Sequence, residues 1–253
     1  MFDSGAGGLS VLKAIQQLLP EENLIYVADS QYAPYGERTN QFIEERVLKI
    51  ADFFIQKSVK LILIACNTAT AAAVKSLRDK YDIPIVGLEP ALKPAVEFSH
   101  NHQVGVLATQ ATLSSEKYHQ LKSRFAADNH IVEKASRLFV ELVESAAEIG
   151  ESEFQLIEKE LEPFMENSVD SLVLGCTHYP FLTSTIKQIL GEHVTLFESA
   201  MPVAKEVKRR LDGQLNQQDS TGTVSFYSSA PQKAQTTFER LLGYKTNIQM
   251  LNV

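Results

Sequence analysis

Cysteine is scarce in this chain: 253 residues carry two, Cys66 and Cys176, in different halves. That scarcity leaves no disulfide framework and no Cys-x-x-Cys pair for thiol redox chemistry. Basic residues are in deficit as well, 24 Lys and Arg against 31 Asp and Glu, for a net charge of −7. A surface that tracks phosphates needs clustered Lys and Arg, so nucleic acid is not an expected partner. The densest basic stretch, "KEVKRR" at 205–210, reads as a solvated helix face. No apolar run reaches the 18 or more residues that span a bilayer, so no membrane partner is expected. The first residues, "MFDSGAGGLS", lack the basic and apolar regions of a secretory signal, and the cytoplasm is the expected compartment.

Several site motifs are missing too. The glycine-rich start has no Gly-Lys-Ser/Thr and does not fit the dinucleotide fingerprint. No Gly-x-Ser-x-Gly elbow offers a hydrolytic serine. His100 and His102 form the tight histidine pair, but no spaced cysteine or carboxylate accompanies them, and no metal site is expected.

What is present is alternation. Short apolar runs at 24–28, 61–65, 83–87, 104–108, 171–175, 194–197 and 224–227 predict strands, with a weaker one near Ile131. Between them, apolar residues recur at helical spacing over 9–19, 41–56, 68–80, 113–125, 139–147, 154–165, 181–190, 203–211 and 234–242. Strand–helix repetition of this kind predicts an α/β fold, with parallel sheets covered by helices on both faces. An apolar strand, a cysteine, two polar residues and a helix occur at 61–80 and again at 172–190. The repeat implies two similar parallel-sheet lobes in a pseudo-twofold relation, with functional residues at the carboxyl ends of strands. The expected division is residues 1–92 plus 203–253 for a discontinuous first lobe and 93–202 for the second, with the chain switching over at "PALKP".

A cysteine at a strand end is often just a small buried apolar side chain. Here the neighbours are polar: Asn67-Thr68 beside Cys66 and Thr177-His178 beside Cys176. Asn67 or Thr68 can cap the following helix, and Pro180 suits a first helical turn. A sulfur at a helix N-terminus faces unpaired N–H groups, which favour thiolate. At the other end of the chain, Asp3-Ser4-Gly5-Ala6-Gly7-Gly8 leads into a helix, and its glycines let backbone approach an anion closely. The loop 28–36 follows a strand and is placed to line a crevice.

Four blocks in this order, "FDSGAGGLS", "ADSQYAPYGER", "ACNTATA" and "GCTHYP", resemble the glutamate racemases of the cofactor-independent aspartate/glutamate racemase family. The resemblance implies interconversion of L- and D-glutamate for peptidoglycan, without pyridoxal phosphate, metal or other cofactor. It implies that Cys66 and Cys176 face each other across the crevice between the lobes, one removing the α-proton as thiolate while the other donates as thiol. Cys66 is assigned to D-glutamate with help from Asp3, and Cys176 to L-glutamate with help from His178. Glutamate is then held by Asp3, Ser4, Tyr35, Gly36, Asn67, Thr68, Thr177 and His178.

The chain departs from the family at two places. Only Met1 and Phe2 precede Asp3, so the first strand is expected to be short and the numbered chain to begin internally. Ser136-Arg137 stands where many members have Cys-Pro, and the nearby "FVELVES" offers Glu144 or Glu141 as acidic partner. "LEPALKPA" resembles variants from Gram-negative bacteria, some of which respond to a cell-wall precursor; such an activator and a homodimer are both compatible with the resemblance. The competing readings are a racemase for aspartate or another amino acid, whose motifs usually place Glu soon after the second cysteine, and a non-catalytic regulatory binding protein.

Overall fold

Strands such as Ile62–Ile64 are apolar at every position, which suits a sheet buried on both faces rather than one side wetted by solvent. The computed structural model describes residues 1–146, 148–216 and 221–253. Among them ten strands form two sheets: β1 Phe2–Asp3, β2 Leu24–Ala28, β3 Ile62–Ile64, β4 Ile85–Gly87, β5 Gln103–Ala108, β6 His130–Ala135, β7 Ser171–Leu174, β8 Thr195–Phe197, β9 Val224–Ser228 and β10 Ile248–Met250. One sheet has the order β10-β9-β2-β1-β3-β4 and the other β6-β5-β7-β8. Every pairing in both is parallel. This is the two-lobe α/β architecture the repeat implied.

The lobes share one wiring. Strands β1–β4 run in the order 2-1-3-4, and β5–β8 repeat that order in their own sheet. Such an order reverses direction between its first and third strands, which opens a crevice at their carboxyl ends. Asp3 ends β1 and Cys66 follows β3; Thr109 follows β5 and Cys176 follows β7. Each lobe therefore sets its cysteine beside its own switch point. The tail returns to the first sheet, where β9 pairs with β2 along Leu24–Ala28.

Alternate strand residues feed different cores. Phe2, Val27, Ile62 and Ile64 pack with the helices Asn40–Gln56 and Asn67–Lys80. Tyr26, Ala28 and Leu63 pack on the opposite face with Leu9–Leu18, Ala200–Arg210 and Pro231–Leu242. In the second sheet Val104, Val106 and Val173 face one core, and Leu107, Leu172 and Leu174 the other. Among the described residues no helix is long and apolar enough to cross a membrane.

Local chemistry explains the differences from the sequence reading. The helix expected over 113–125 is two, Gln110–Leu113 and Glu116–Ser123. The Thr109 and Ser115 hydroxyls accept from the Thr112 and Tyr118 N–H groups, and each starts a new helix. The helix Leu92–Phe98 was hidden because its Pro94 reads as a breaker, yet a proline in a first turn gives up no helical hydrogen bond. β4 begins at Ile85 rather than 83, β10 is too short to register in the pattern, and β1 is indeed short. The helix expected over 139–147 is Leu138–Glu144, and Ala147 lies outside the described residues, as do 217–220 of the first lobe's expected span.

Candidate active site

The glycine-rich loop was expected to receive an anion, and the anion it receives belongs to the protein. Gly5 N–H donates to Asp3 Oδ1 at 2.7 Å, and Ala6 N–H donates to Glu144 Oε1 at 2.7 Å from the other lobe. Close approach demands the glycines. A Cβ on Gly5 would stand 2.0 Å from Glu144 Oε1, and one on Gly7 would stand 2.3 Å from His178 Nδ1.

His178 links the second cysteine to that carboxylate. Its Nδ1 lies 3.6 Å from Cys176 Sγ and its Nε2 lies 2.7 Å from Glu144 Oε1. Nε2 cannot donate to Glu144 and also accept from the Gly7 N–H at 3.2 Å. The shorter, charge-assisted contact wins, and the proton sits toward Glu144. Burial by itself would depress the His178 pKa, but the hydrogen bonds and charges of Cys176 and Glu144 outweigh it and hold the imidazole well above its ordinary range. Burial would likewise raise Glu144, and His178, the Ala6 N–H and Lys233 turn the net shift downward.

Cys66 is in a different situation. It caps the helix Asn67–Lys80 itself, its Sγ accepting from Ala69 N–H at 3.4 Å, in place of the Asn67 or Thr68 cap expected. Ser4 Oγ lies 3.8 Å from the same sulfur. Burial pushes the Cys66 thiol up to about 12, with Asp3 and Cys176 adding to the rise against the Ala69 and Ser4 contacts. The expectation that a helix start favours thiolate is thus corrected for this closed site: desolvation exceeds one N–H contact. For Cys176 the helix argument does not apply, because a 3₁₀ turn, Tyr179–Leu182, separates it from the helix Thr183–Leu190.

The other expected residues gather around them. Asp3 is fully buried at the end of β1, and Thr177 Oγ1 donates to its Oδ2 at 3.0 Å. Burial lifts the Asp3 carboxyl above its ordinary range, against the lowering by His178, Gly5 and Thr177. Asn67 Oδ1 is buried with no partner, an open acceptor. Thr68 Oγ1 lies 3.0 Å from Thr109 Oγ1, across the crevice. Tyr35 is in the turn Tyr35–Glu37, and its hydroxyl donates to Asp29 Oδ2 at 2.6 Å, so only the Tyr35-Gly36 backbone is left to meet a ligand. Glu144, not Glu141, reaches His178; Glu141 pairs with Arg137 at the surface.

Several contributors were not anticipated. Thr109 has no distinctive motif around it. Asp29 lies inside a quoted block, yet its pairing with Arg46 on the helix Asn40–Gln56 is a long-range contact. Thr237 and Arg240, on Pro231–Leu242, bond the carbonyls of Glu144 and Val143 and so brace the Glu144 segment. Among the described residues no three His, Cys, Asp or Glu side chains gather as a metal-ligand set.

Residues 6–206 match the profile of the Asp/Glu/hydantoin racemase family. Glutamate racemase from Methylococcus capsulatus is 43% identical over 233 residues, spanning 91% of this chain and 86% of that protein. Among solved structures, glutamate racemase isoform RacE1 from Bacillus anthracis superposes with a TM-score of 0.90 at 30% identity, covering 100% of this chain and 96% of that one. Escherichia coli glutamate racemase, solved with L-glutamate and the activator UDP-MurNAc-ala, has a TM-score of 0.88 at 33% identity, covering 98% and 95%.

Proposed function

The chain belongs to the Asp/Glu/hydantoin racemase family, and we propose that it interconverts L- and D-glutamate with Cys66 and Cys176 as the two proton-transfer groups. One observation supports the assignment of roles: both sulfurs are buried at the ends of corresponding strands, Cys176 at 3.6 Å from His178, which is itself held by Glu144, and Cys66 at a helix start beside Ser4. Inverting a carbon requires removing a proton from one face and returning one to the other, and a single group cannot reach both. Cys176, with His178 and Glu144 behind it, takes the α-proton of L-glutamate, and the Cys66 thiol delivers to the opposite face to make D-glutamate. The reverse reaction starts from the opposite protonation pattern, with Cys66 as thiolate and Asp3, whose carboxyl pKa burial raises, protonated so that its charge does not oppose that thiolate.

Holding the substrate falls to the remaining polar groups. The open Asn67 Oδ1 receives the ammonium, while Ser4, Thr68, Thr177 and the Tyr35-Gly36 backbone take the carboxylates. Preorganised donors in a site closed to water stabilise the carbanion far better than water does, which an α-proton of such weak acidity requires. The product would supply peptidoglycan synthesis in the cytoplasm. An activator such as the UDP-MurNAc-ala in the E. coli structure is a candidate ligand of this chain as well.

Circular dichroism of glutamate solutions tests the reading. The purified protein should abolish the signal of L- and of D-glutamate alike, and should act on aspartate at least about tenfold more slowly, because aspartate is one methylene shorter. Equal rates on both amino acids would favour a general acidic amino-acid racemase.

A further inference from the structure

The crevice is shut in this structure: Cys66 is 6% and Cys176 8% exposed. The cavity touching Asn67, Cys176 and Thr177 is about 10 Å³, room for a single water. Any glutamate-sized ligand therefore requires the lobes to part. A larger cavity, about 280 Å³, lies between the turn Tyr35–Glu37 of one lobe and the end of β6 in the other. Its walls include Gly36, Thr109 and Ser136, whose buried hydroxyl has no partner. Across this cavity Arg137 ion-pairs with Glu37, two side chains that are themselves 61% and 45% exposed.

Both ends of that pair matter to the site. Glu37 shares its turn with Gly36, and Arg137 begins the helix Leu138–Glu144, whose last residue holds His178. Arg137 also stands where many family members have proline, which has no charge to offer. We propose that Arg137 and Glu37 form a latch across the entrance, and that the cavity behind it is the antechamber through which a dicarboxylic amino acid reaches the sulfurs. The proposal rests on reading the crevice as a glutamate site. Closed, the pair holds the Gly36 turn and the Glu144 helix together; open, it exposes one cation to an arriving carboxylate.

The two cysteines report on opening directly, since no others exist in the chain. Thiol alkylation by neutral iodoacetamide is measured for the wild type, Glu37→Gln, Arg137→Gln, the double variant and Glu141→Gln. Glu37→Gln and Arg137→Gln should each speed alkylation about two- to fivefold, the range for one exposed ion pair. The double variant should be no faster than either single. Added salt should accelerate the wild type and leave the Glu37 and Arg137 variants unchanged. Glu141→Gln, which removes the other Arg137 partner without touching the entrance, should match the wild type. Rates that are equal in all five proteins, or single effects that multiply in the double variant, would overturn the latch. Because alkylation does not depend on turnover, that result is separate from a failure of the wild type to racemise glutamate.

Discussion

Cys66→Ser and Cys176→Ser should each lower racemisation by about 10²–10⁴-fold in both directions, the range for loss of a positioned acid–base group. The symmetry follows from the mechanism. Each sulfur serves one face as base in one direction and as acid in the other, so neither direction survives the loss of one. A serine hydroxyl is too weak an acid to share a proton with the substrate α-carbon as a thiol does. The fold should tolerate both changes. Cys66 caps the helix Asn67–Lys80 with its side chain, and serine is a better cap than cysteine. Initial rates from each enantiomer, with far-ultraviolet circular dichroism as the folding control, check this. A serine variant retaining more than a tenth of the wild-type rate would remove that sulfur from the reaction.

Arg46→Met should destabilise the protein by about 3–5 kcal/mol, the cost of leaving a buried charge without its partner. Arg46 meets both Asp29 carboxylate oxygens at 2.9 Å, and Asp29 is fully buried. The guanidinium also packs over the Tyr32 ring, 4.3 Å from its centre, so methionine keeps part of the contact but none of the charge. Its position ties this pair to function. Asp29 receives the Tyr35 hydroxyl, so the turn that carries Gly36 hangs on it. Adding Asp29→Asn should recover much of the lost stability, since the orphaned charge then disappears. Urea denaturation of the wild type, Arg46→Met and the double variant measures both effects. A loss below about 1 kcal/mol in Arg46→Met would mean that the pair contributes no more than a surface contact.

The layout of both lobes could be read from the sequence because most of its strands carry apolar runs and its helices are amphipathic. Those are local signals. The cysteines, Asp3 and His178 were legible for a related reason: in parallel sheets the carboxyl ends of strands are where ligands meet the chain. What escaped was non-local. Glu144 and Glu141 sit three apart on one helix, and only the approach of the glycine loop from the other lobe distinguishes them. The bracing of the Glu144 segment by Thr237 and Arg240 joins positions 93 and 97 apart and leaves no periodic trace. The helix-start argument misjudged Cys66 because exposure, not sequence, decides how strongly desolvation acts on a thiol.

Two sulfurs working one carbon from opposite sides make a direct demand on isotopes. L-glutamate is turned over in heavy water to a few per cent conversion, and both enantiomers are separated for mass analysis. Cys66 delivers solvent deuterium to the product while Cys176 can return only the proton it took, so the D-glutamate should carry deuterium at the α-carbon and the recovered L-glutamate should carry none. D-glutamate that keeps its original α-proton, or deuterium entering recovered L-glutamate as fast as product forms, would mean that one group shuttles the proton and the opposed pair is wrong.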